Sequence, residues 1–191
     1  MNIEEIKSAK TNKIGKKIEY YKTINSTHIY AKQIANKSKN DGMLILAEQQ
    51  TGGIGTKGRK WFTGYEKNIA TTIILYPKYK INQLSNLTID IATKIKEAIK
   101  ELYDYNLEIK EPNDLLLNNK KICGILTEIH TQGEQIKYLL ISFGFNVNEE
   151  SFSEETKNLA TSLKNEFKND FCREEILKKI LEKLEEIPQI N

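Results

Sequence analysis

Three clusters of residues in this chain have the types and spacings to handle an anion. The first, Gln50-Thr-Gly-Gly-Ile-Gly-Thr-Lys-Gly-Arg-Lys-Trp-Phe-Thr-Gly64, holds five of the ten glycines. Residues without a Cβ let backbone amides turn toward a ligand, and Lys57, Arg59 and Lys60 add positive charge, so the natural guest is an anion such as a phosphate. The plainer alternative is a flexible surface hairpin. Gly53 to Gly58 spells G-x-G-x-x-G, but a dinucleotide fold needs that motif to open a helix, and Lys60-Trp-Phe-Thr-Gly64 leads toward another strand. The Walker pattern fails as well, because Arg59-Lys60 stands where Lys and then Ser or Thr is required.

The second cluster, Lys110-Glu-Pro-Asn-Asp114 followed by Lys120-Lys-Ile-Cys-Gly-Ile-Leu-Thr-Glu128, sets polar groups into apolar strands, where they need partners. Asn113 and Asp114 either cap a turn after Pro112 or face a ligand. Lys121 is either a snorkelling surface lysine or a cation aimed at a buried anion. The third cluster, Ser142-Phe-Gly-Phe-Asn-Val-Asn148, ends the most hydrophobic strand with a glycine and two asparagines. That pattern suits a backbone approached by a ligand, or a structural bulge. Cys123 and Cys172 are too far apart for a local metal knuckle and read as two buried thiols. His28 and His130 lack a Cys or His partner at metal-ligand spacing, so no zinc site is expected.

Elements must hold these clusters in place. The runs Met43 to Ala47, Ile69 to Tyr76 and Tyr138 to Phe145 are short, apolar and rich in β-branched or aromatic residues, which predicts three buried strands at the centre of a sheet. Weaker strand patterns cover Ile18 to Tyr21, Leu107 to Lys110, Asp114 to Leu117 and Lys121 to Ile129, with Asn118 and Asn119 as a tight hairpin turn between the last two. Leu84, Leu87, Ile91, Ile95, Ala98 and Leu102 stripe a helix over about Asn82 to Tyr103. A shorter helix runs from Ser26 to about Asn36, capped by Ser26 or Thr27, and Ile176, Ile180, Leu184 and Ile187 stripe a C-terminal helix. Several strands in succession after the central helix predict an α+β fold: a mixed, largely antiparallel sheet with flanking helices, not a doubly wound one.

The 191 residues fit one domain, and 39% hydrophobic with 29% charged residues excludes fibrous and wholly disordered chains. Lys plus Arg (29) against Asp plus Glu (26) leaves +3, so no general affinity for nucleic acid or anionic membrane is implied and any basic site must be local. The polar, lysine-rich segment Met1 to Lys17 has no apolar stretch of signal-peptide length, and nothing approaches the roughly 18 apolar residues of a membrane span. A cytoplasmic protein is expected.

In order along the chain, these segments resemble the biotin protein ligases, which join biotin to a lysine of a biotin carboxyl carrier protein. The family reads an acidic or Asn residue before Ser-Thr-Asn opening a helix, then G-R-G-x-x-G-R-x-W, K-W-P-N-D, K-x-x-G-I-L-x-E and G-x-G-x-N. This chain supplies Asn25-Ser-Thr-His28, Gly53-Ile-Gly-Thr-Lys-Gly-Arg-Lys-Trp61, Lys110-Glu-Pro-Asn-Asp114, Lys121-Ile-Cys-Gly-Ile-Leu-Thr-Glu128 and Ser142-Phe-Gly-Phe-Asn146. Each match alone is weak, whereas five in order are specific. Ile54 and Thr56 stand where many members have arginine, and Glu111 where they have tryptophan.

The resemblance implies the catalytic fold shared with class II aminoacyl-tRNA synthetases and lipoate ligases. It implies a two-step reaction, in which ATP and biotin give biotinyl-5′-adenylate and the carrier lysine then attacks it. Carried over by position, Lys121 and Arg59 are the catalytic cations. Ser26, Thr27, Gln50, Gly53, Ile54 and Gly124 bind biotin; Lys57, Trp61, Asn113 and Asn146 bind the nucleotide; and Asp114 lies near magnesium. ATP and Mg2+ are then co-substrates, with no tightly bound cofactor. The expected partner is a biotin carboxyl carrier protein, with no nucleic acid or membrane partner, for a monomer or weak homodimer. One catalytic domain over 1–191 is expected, without the N-terminal winged helix or the C-terminal SH3-like domain of other members. The rival readings are a lipoate or octanoate ligase of the same superfamily and a non-catalytic module that binds biotin or nucleotide.

Overall fold

The computed structural model describes residues 1–190. The chain runs α1 (Ile3–Lys7), β1 (Ile18–Ile24), α2 (Thr27–Ala35), β2 (Met43–Gln50), β3 (Ile69–Leu75) and α3 (Leu87–Tyr103). Then come β4 (Glu108–Lys110), β5 (Asp114–Leu117), β6 (Lys120–Gln132), β7 (Gln135–Phe145), α4 (Leu163–Phe167) and α5 (Arg173–Glu185). The strands form one sheet in the order β1-β2-β3-β7-β6-β5-β4. Only β1 and β2 pair in parallel, with α2 as the crossover such a pair requires; the other neighbours are antiparallel. This is the mixed, largely antiparallel α+β sheet predicted, and its central neighbours β2, β3 and β7 are the three apolar runs.

Both faces of those strands are covered, which is why β2 and β3 read as continuous apolar runs. On one face, Leu87, Ile91, Ile95 and Ala98 of α3 and Ile176, Ile180 and Leu184 of α5 pack with Leu44, Leu46, Ile73 and Ile141. On the other, Ala31 and Ala35 of α2 pack on Met43, Ile45, Ile74 and Leu140. Alternation along each strand therefore sends Thr72, Ser142, Gly144, Gly124 and Glu128 to the α2 face. Between β5 and β6, Leu117 pairs with Lys120 across Asn118 and Asn119, at φ 50° and 63°. Two left-handed central residues make the hairpin turn expected of that dipeptide, since asparagine tolerates this backbone.

Three details differ from expectation. Residues Ile81–Leu84 form a separate 3-10 turn and α3 starts only at Leu87; Leu84 is nevertheless buried, so its place in the stripe reflects packing, not continuous helix. Ile187 likewise lies past the end of α5 yet is buried. Cys123 is a buried thiol, but Cys172 is exposed at the N-cap of α5, where a helix start keeps it on the surface. Among the described residues, no helix is long and apolar enough to cross a membrane.

Candidate active site

Beside α2, on its face of the sheet, residues from the glycine-rich segment, β6, β7 and positions 152–160 line a cavity of about 310 Å³. Gly124 and Gly144 pair directly across β6 and β7, and the Trp61 indole lies against both. A Cβ on Gly144 would fall 2.2 Å from the indole Cε2 and Nε1, and one on Gly124 2.9 Å from Cζ3. Glycine is thus required at both positions for this approach. The indole Nε1 is buried and has no hydrogen-bond partner among the described residues. Such a donor costs about 1–3 kcal/mol until an acceptor arrives.

Lys121 lies at one end of the cavity. Its Nζ is 2.7 Å from Asp114 Oδ1 and 5.4 Å from the centroid of the Trp61 ring. Its backbone is clamped on both sides: Lys121 N–H donates to the Leu159 carbonyl oxygen at 2.8 Å, and Thr161 N–H donates to the Lys121 carbonyl oxygen at 2.9 Å. Two asparagines secure the same end. Asn113 Nδ2 donates to the Ile125 carbonyl oxygen at 3.1 Å, and Asn146 Nδ2 to that of Thr161 at 3.0 Å.

The other end is built by α2. Ser26 caps the helix, its Oγ accepting from Ile29 N–H at 3.4 Å. Gln50 Oε1 accepts from both N–H (2.8 Å) and Oγ1 (3.0 Å) of Thr27. From there hydroxyl contacts run from Thr27 to Thr72 (3.0 Å) and on to Ser142 (2.8 Å). Ser142 Oγ is 2.8 Å from His28 Nδ1, and His28 Nε2 is 3.0 Å from Glu128 Oε2. Glu128 also takes Lys32 at 2.6 Å. Although burial works to raise its carboxyl, Lys32 and His28 hold it below the ordinary range. Ser142 pairs with Leu126, five residues beyond Lys121 on β6, which separates the two ends by about 16 Å of extended strand.

Of the residues nominated from sequence, Thr27, Gln50, Ile54, Arg59, Trp61, Asn113, Lys121, Gly124 and Asn146 meet around this one cavity. Asp114 stands behind it as the partner of Lys121. Ser26, Gly53 and Lys57 do not line it. Ser26 is spent as a cap, and Gly53 is buried in the loop's turn, where its carbonyl accepts from Trp61 N–H at 2.8 Å. Lys57 is exposed at the tip with φ 58°. Arg59 is on the rim but bonded to its own loop, donating to the Thr56 hydroxyl at 2.7 Å. The sequence reading missed His28, Thr72, Ser142 and Glu128. The available signal was polar Thr72 and Ser142 inside apolar runs, at positions that alternation puts on the face of Gly144.

A cavity with a fixed cation and an unsatisfied donor at one end, and a row of hydroxyls at the other, suits a molecule with an anionic end and a hydrogen-bonding head. Residues 20–146 match the profile of the biotin/lipoate A/B protein ligase family. The chain is 33% identical over 156 residues to the bifunctional ligase/repressor BirA of Bacillus subtilis, covering 81% of this chain and 48% of that protein. It is 31% identical to a biotin--[acetyl-CoA-carboxylase] ligase of Paracoccus denitrificans, over 54% of this chain and 43% of that one. A biotin protein ligase from Aquifex aeolicus, solved with biotin and ATP, superposes with a TM-score of 0.75 at 27% identity, covering 88% of this chain and 68% of that chain. The chain spans about half the length of the curated relatives it matches.

Proposed function

The chain belongs to the biotin/lipoate A/B protein ligase family, and on that premise we propose that it activates biotin with ATP and passes it to a lysine of a biotin carboxyl carrier protein. In the first step a carboxylate oxygen attacks the α-phosphorus of ATP, giving biotinyl-5′-adenylate and pyrophosphate. In the second, the lysine amine attacks the mixed anhydride's carbonyl carbon, AMP leaves, and the amine loses a proton.

The observation that carries this reading is Lys121, clamped by its backbone at the end of the cavity with Asp114 as its one ion-pair partner among the described residues. The first step forces a carboxylate and a phosphate together against their repulsion. A preorganised cation in a site that excludes water relieves it far better than one in solvent. Lys121 can turn from Asp114 to those anions, which leaves the Asp114 carboxylate for the Mg2+ that accompanies ATP. No group of three metal-binding side chains is found among the described residues. That suits a magnesium ion held mainly by substrate phosphates plus one carboxylate. Arg59 would join Lys121 once released from Thr56, Lys57 would approach from the loop tip, and the Trp61 indole N–H would find its acceptor on the adenylate. Asn113 and Asn146 support the nucleotide end by fixing the backbone there, while Thr27 and Gln50 take the biotin head.

The test is mass spectrometry of a biotin carrier domain incubated with the protein, biotin and Mg-ATP. One added biotin on a single lysine is expected, and an unmodified carrier would refute the reading. A lipoate or octanoate ligase would modify its carrier only with those acids.

A further inference from the structure

The hydrogen-bond chain at the α2 end has a direction, and it can be read from one fixed point. Gln50 Oε1 accepts the Thr27 N–H at 2.8 Å; a flipped amide would set two donors against each other, so this orientation is fixed. An amide oxygen can only accept, so the Thr27 hydroxyl must give it its single hydrogen. Thr27 Oγ1 therefore accepts from Thr72, Thr72 Oγ1 accepts from Ser142, and Ser142 Oγ, its own hydrogen spent, accepts from His28 Nδ1. On the far side, His28 Nε2 faces a Glu128 carboxylate already paired with Lys32. That nitrogen must donate too. One assignment satisfies every link, and in it both ring nitrogens of His28 carry hydrogen.

We propose that His28 and Ser142 are specificity-determining residues of the acid site, a Glu128-anchored imidazolium that polarises the chain so that it meets the ligand's head as an acceptor. The consequence follows from counting lone pairs. Thr27 and Ser142 both line the cavity, and the hydroxyl oxygen of each has one hydrogen, already given away, and one lone pair still open. A head group bearing N–H donors, such as a cyclic urea, completes both. A head of hydrocarbon or sulfur completes neither and leaves two buried oxygens desolvated, the condition under which hydrogen-bonding sites discriminate strongly. Both residues also differ from the motif pattern quoted above, His28 replacing Asn and Ser142 replacing Gly, and the two side chains touch. A glycine at 142 would cut the chain, removing the Ser142 acceptor and leaving Thr72 Oγ1 without its donor, while Gln50 still fixes the Thr27 hydroxyl.

This inference rests on the acid-activating function proposed above, and two measurements test it. The first uses the resting protein at neutral pH with 15N-labelled histidine. The sequence has only two histidines, so a His28→Asn spectrum assigns the signals. Two protonated ring nitrogens are expected for His28, and one bare nitrogen overturns the proposal. The second is pyrophosphate release from Mg-ATP with biotin or octanoate, in the natural protein and in Ser142→Ala. The ratio of kcat/KM for biotin over octanoate should fall about tenfold or more, the size of one lost hydrogen bond to a buried group. The change should lie in the KM for biotin, with kcat within about twofold. An unchanged ratio, with biotin still activated, overturns this inference alone, whereas no pyrophosphate with any acid overturns the functional reading and this inference with it. Should Ser142→Ala fail to fold, the histidine spectrum of the natural protein still decides.

Discussion

Arg59 donates its Nη2 to the Thr56 hydroxyl at 2.7 Å and its Nε to the Thr56 carbonyl oxygen at 3.2 Å. The guanidinium best placed in sequence to join Lys121 is therefore tethered to its own loop by Thr56. For Arg59 to reach an adenylate in the proposed reaction, that tether must break. Thr56→Val removes the hydroxyl and keeps the shape, and an exposed hydrogen bond contributes about 0.5–1.5 kcal/mol net. Adenylate dissociation, followed by rapid dilution, should slow by about twofold to tenfold in Thr56→Val. Equal rates would show that Arg59 is not restrained by this contact, and faster release would give Thr56 itself a role in holding the adenylate.

The paired glycines beneath Trp61 make a second prediction. Any Cβ at position 144 lies within 2.5 Å of three indole atoms, so Gly144→Ala must expel the ring while leaving the ladder of β6 and β7 able to form. Trp61 is the only tryptophan in the chain, and its fluorescence therefore reports this contact alone. Gly144→Ala should shift the emission to longer wavelength with little change in melting temperature, and an unshifted spectrum would place the indole elsewhere.

Much of this arrangement was legible because it depends on neighbours in sequence. The α3 stripe, the Asn118-Asn119 turn and the Ser26 cap each involve residues within one or two turns of chain, where spacing and local hydrogen bonding decide the outcome. Lys121 stands out in the sequence as a charged residue opening an apolar strand, with a surface role still open, and Gly124 enters only through the family resemblance. What escaped notice depends on distant pairing. His28 and Ser142 are 114 residues apart, and neither carries a sign of the other until β7 is set beside α2. Helix α1 buries only Ile6, too little for a periodicity to register. The displacement of Lys57 from the cavity and the tether that holds Arg59 at its rim follow from the left-handed backbone at Lys57 and the Thr56 contact, which glycine content alone does not foretell.

Acid should loosen the join between α5 and the sheet. Glu48 of β2 is fully buried and accepts from Arg173, the first residue of α5, and from the Tyr20 hydroxyl. Burial acts to raise its carboxyl, but Arg173 and Tyr20 among its partners bring it below the ordinary value. A carboxyl depressed in the folded state contributes stability that is fully present above its unfolded value, near about 4.3, and is lost as pH falls through the folded one. Glu48→Gln leaves Arg173 without its counter-charge and should cost about 3 kcal/mol at pH 7. Urea unfolding at pH 7 and at pH 3 should show that difference narrowing in acid. A difference independent of pH would mean that the charge of Glu48 contributes nothing.

Pyrophosphate release from Mg-ATP, with and without biotin, by the natural protein and by Lys121→Ala tests the role given to Lys121 most directly. Removing a preorganised cation from the reacting anions typically costs two or more powers of ten in rate. Release should depend on biotin and fall at least about a hundredfold in Lys121→Ala. Near natural release by Lys121→Ala, or release that proceeds equally without biotin, would contradict the assignment of Lys121 as the cation that brings the two anions together.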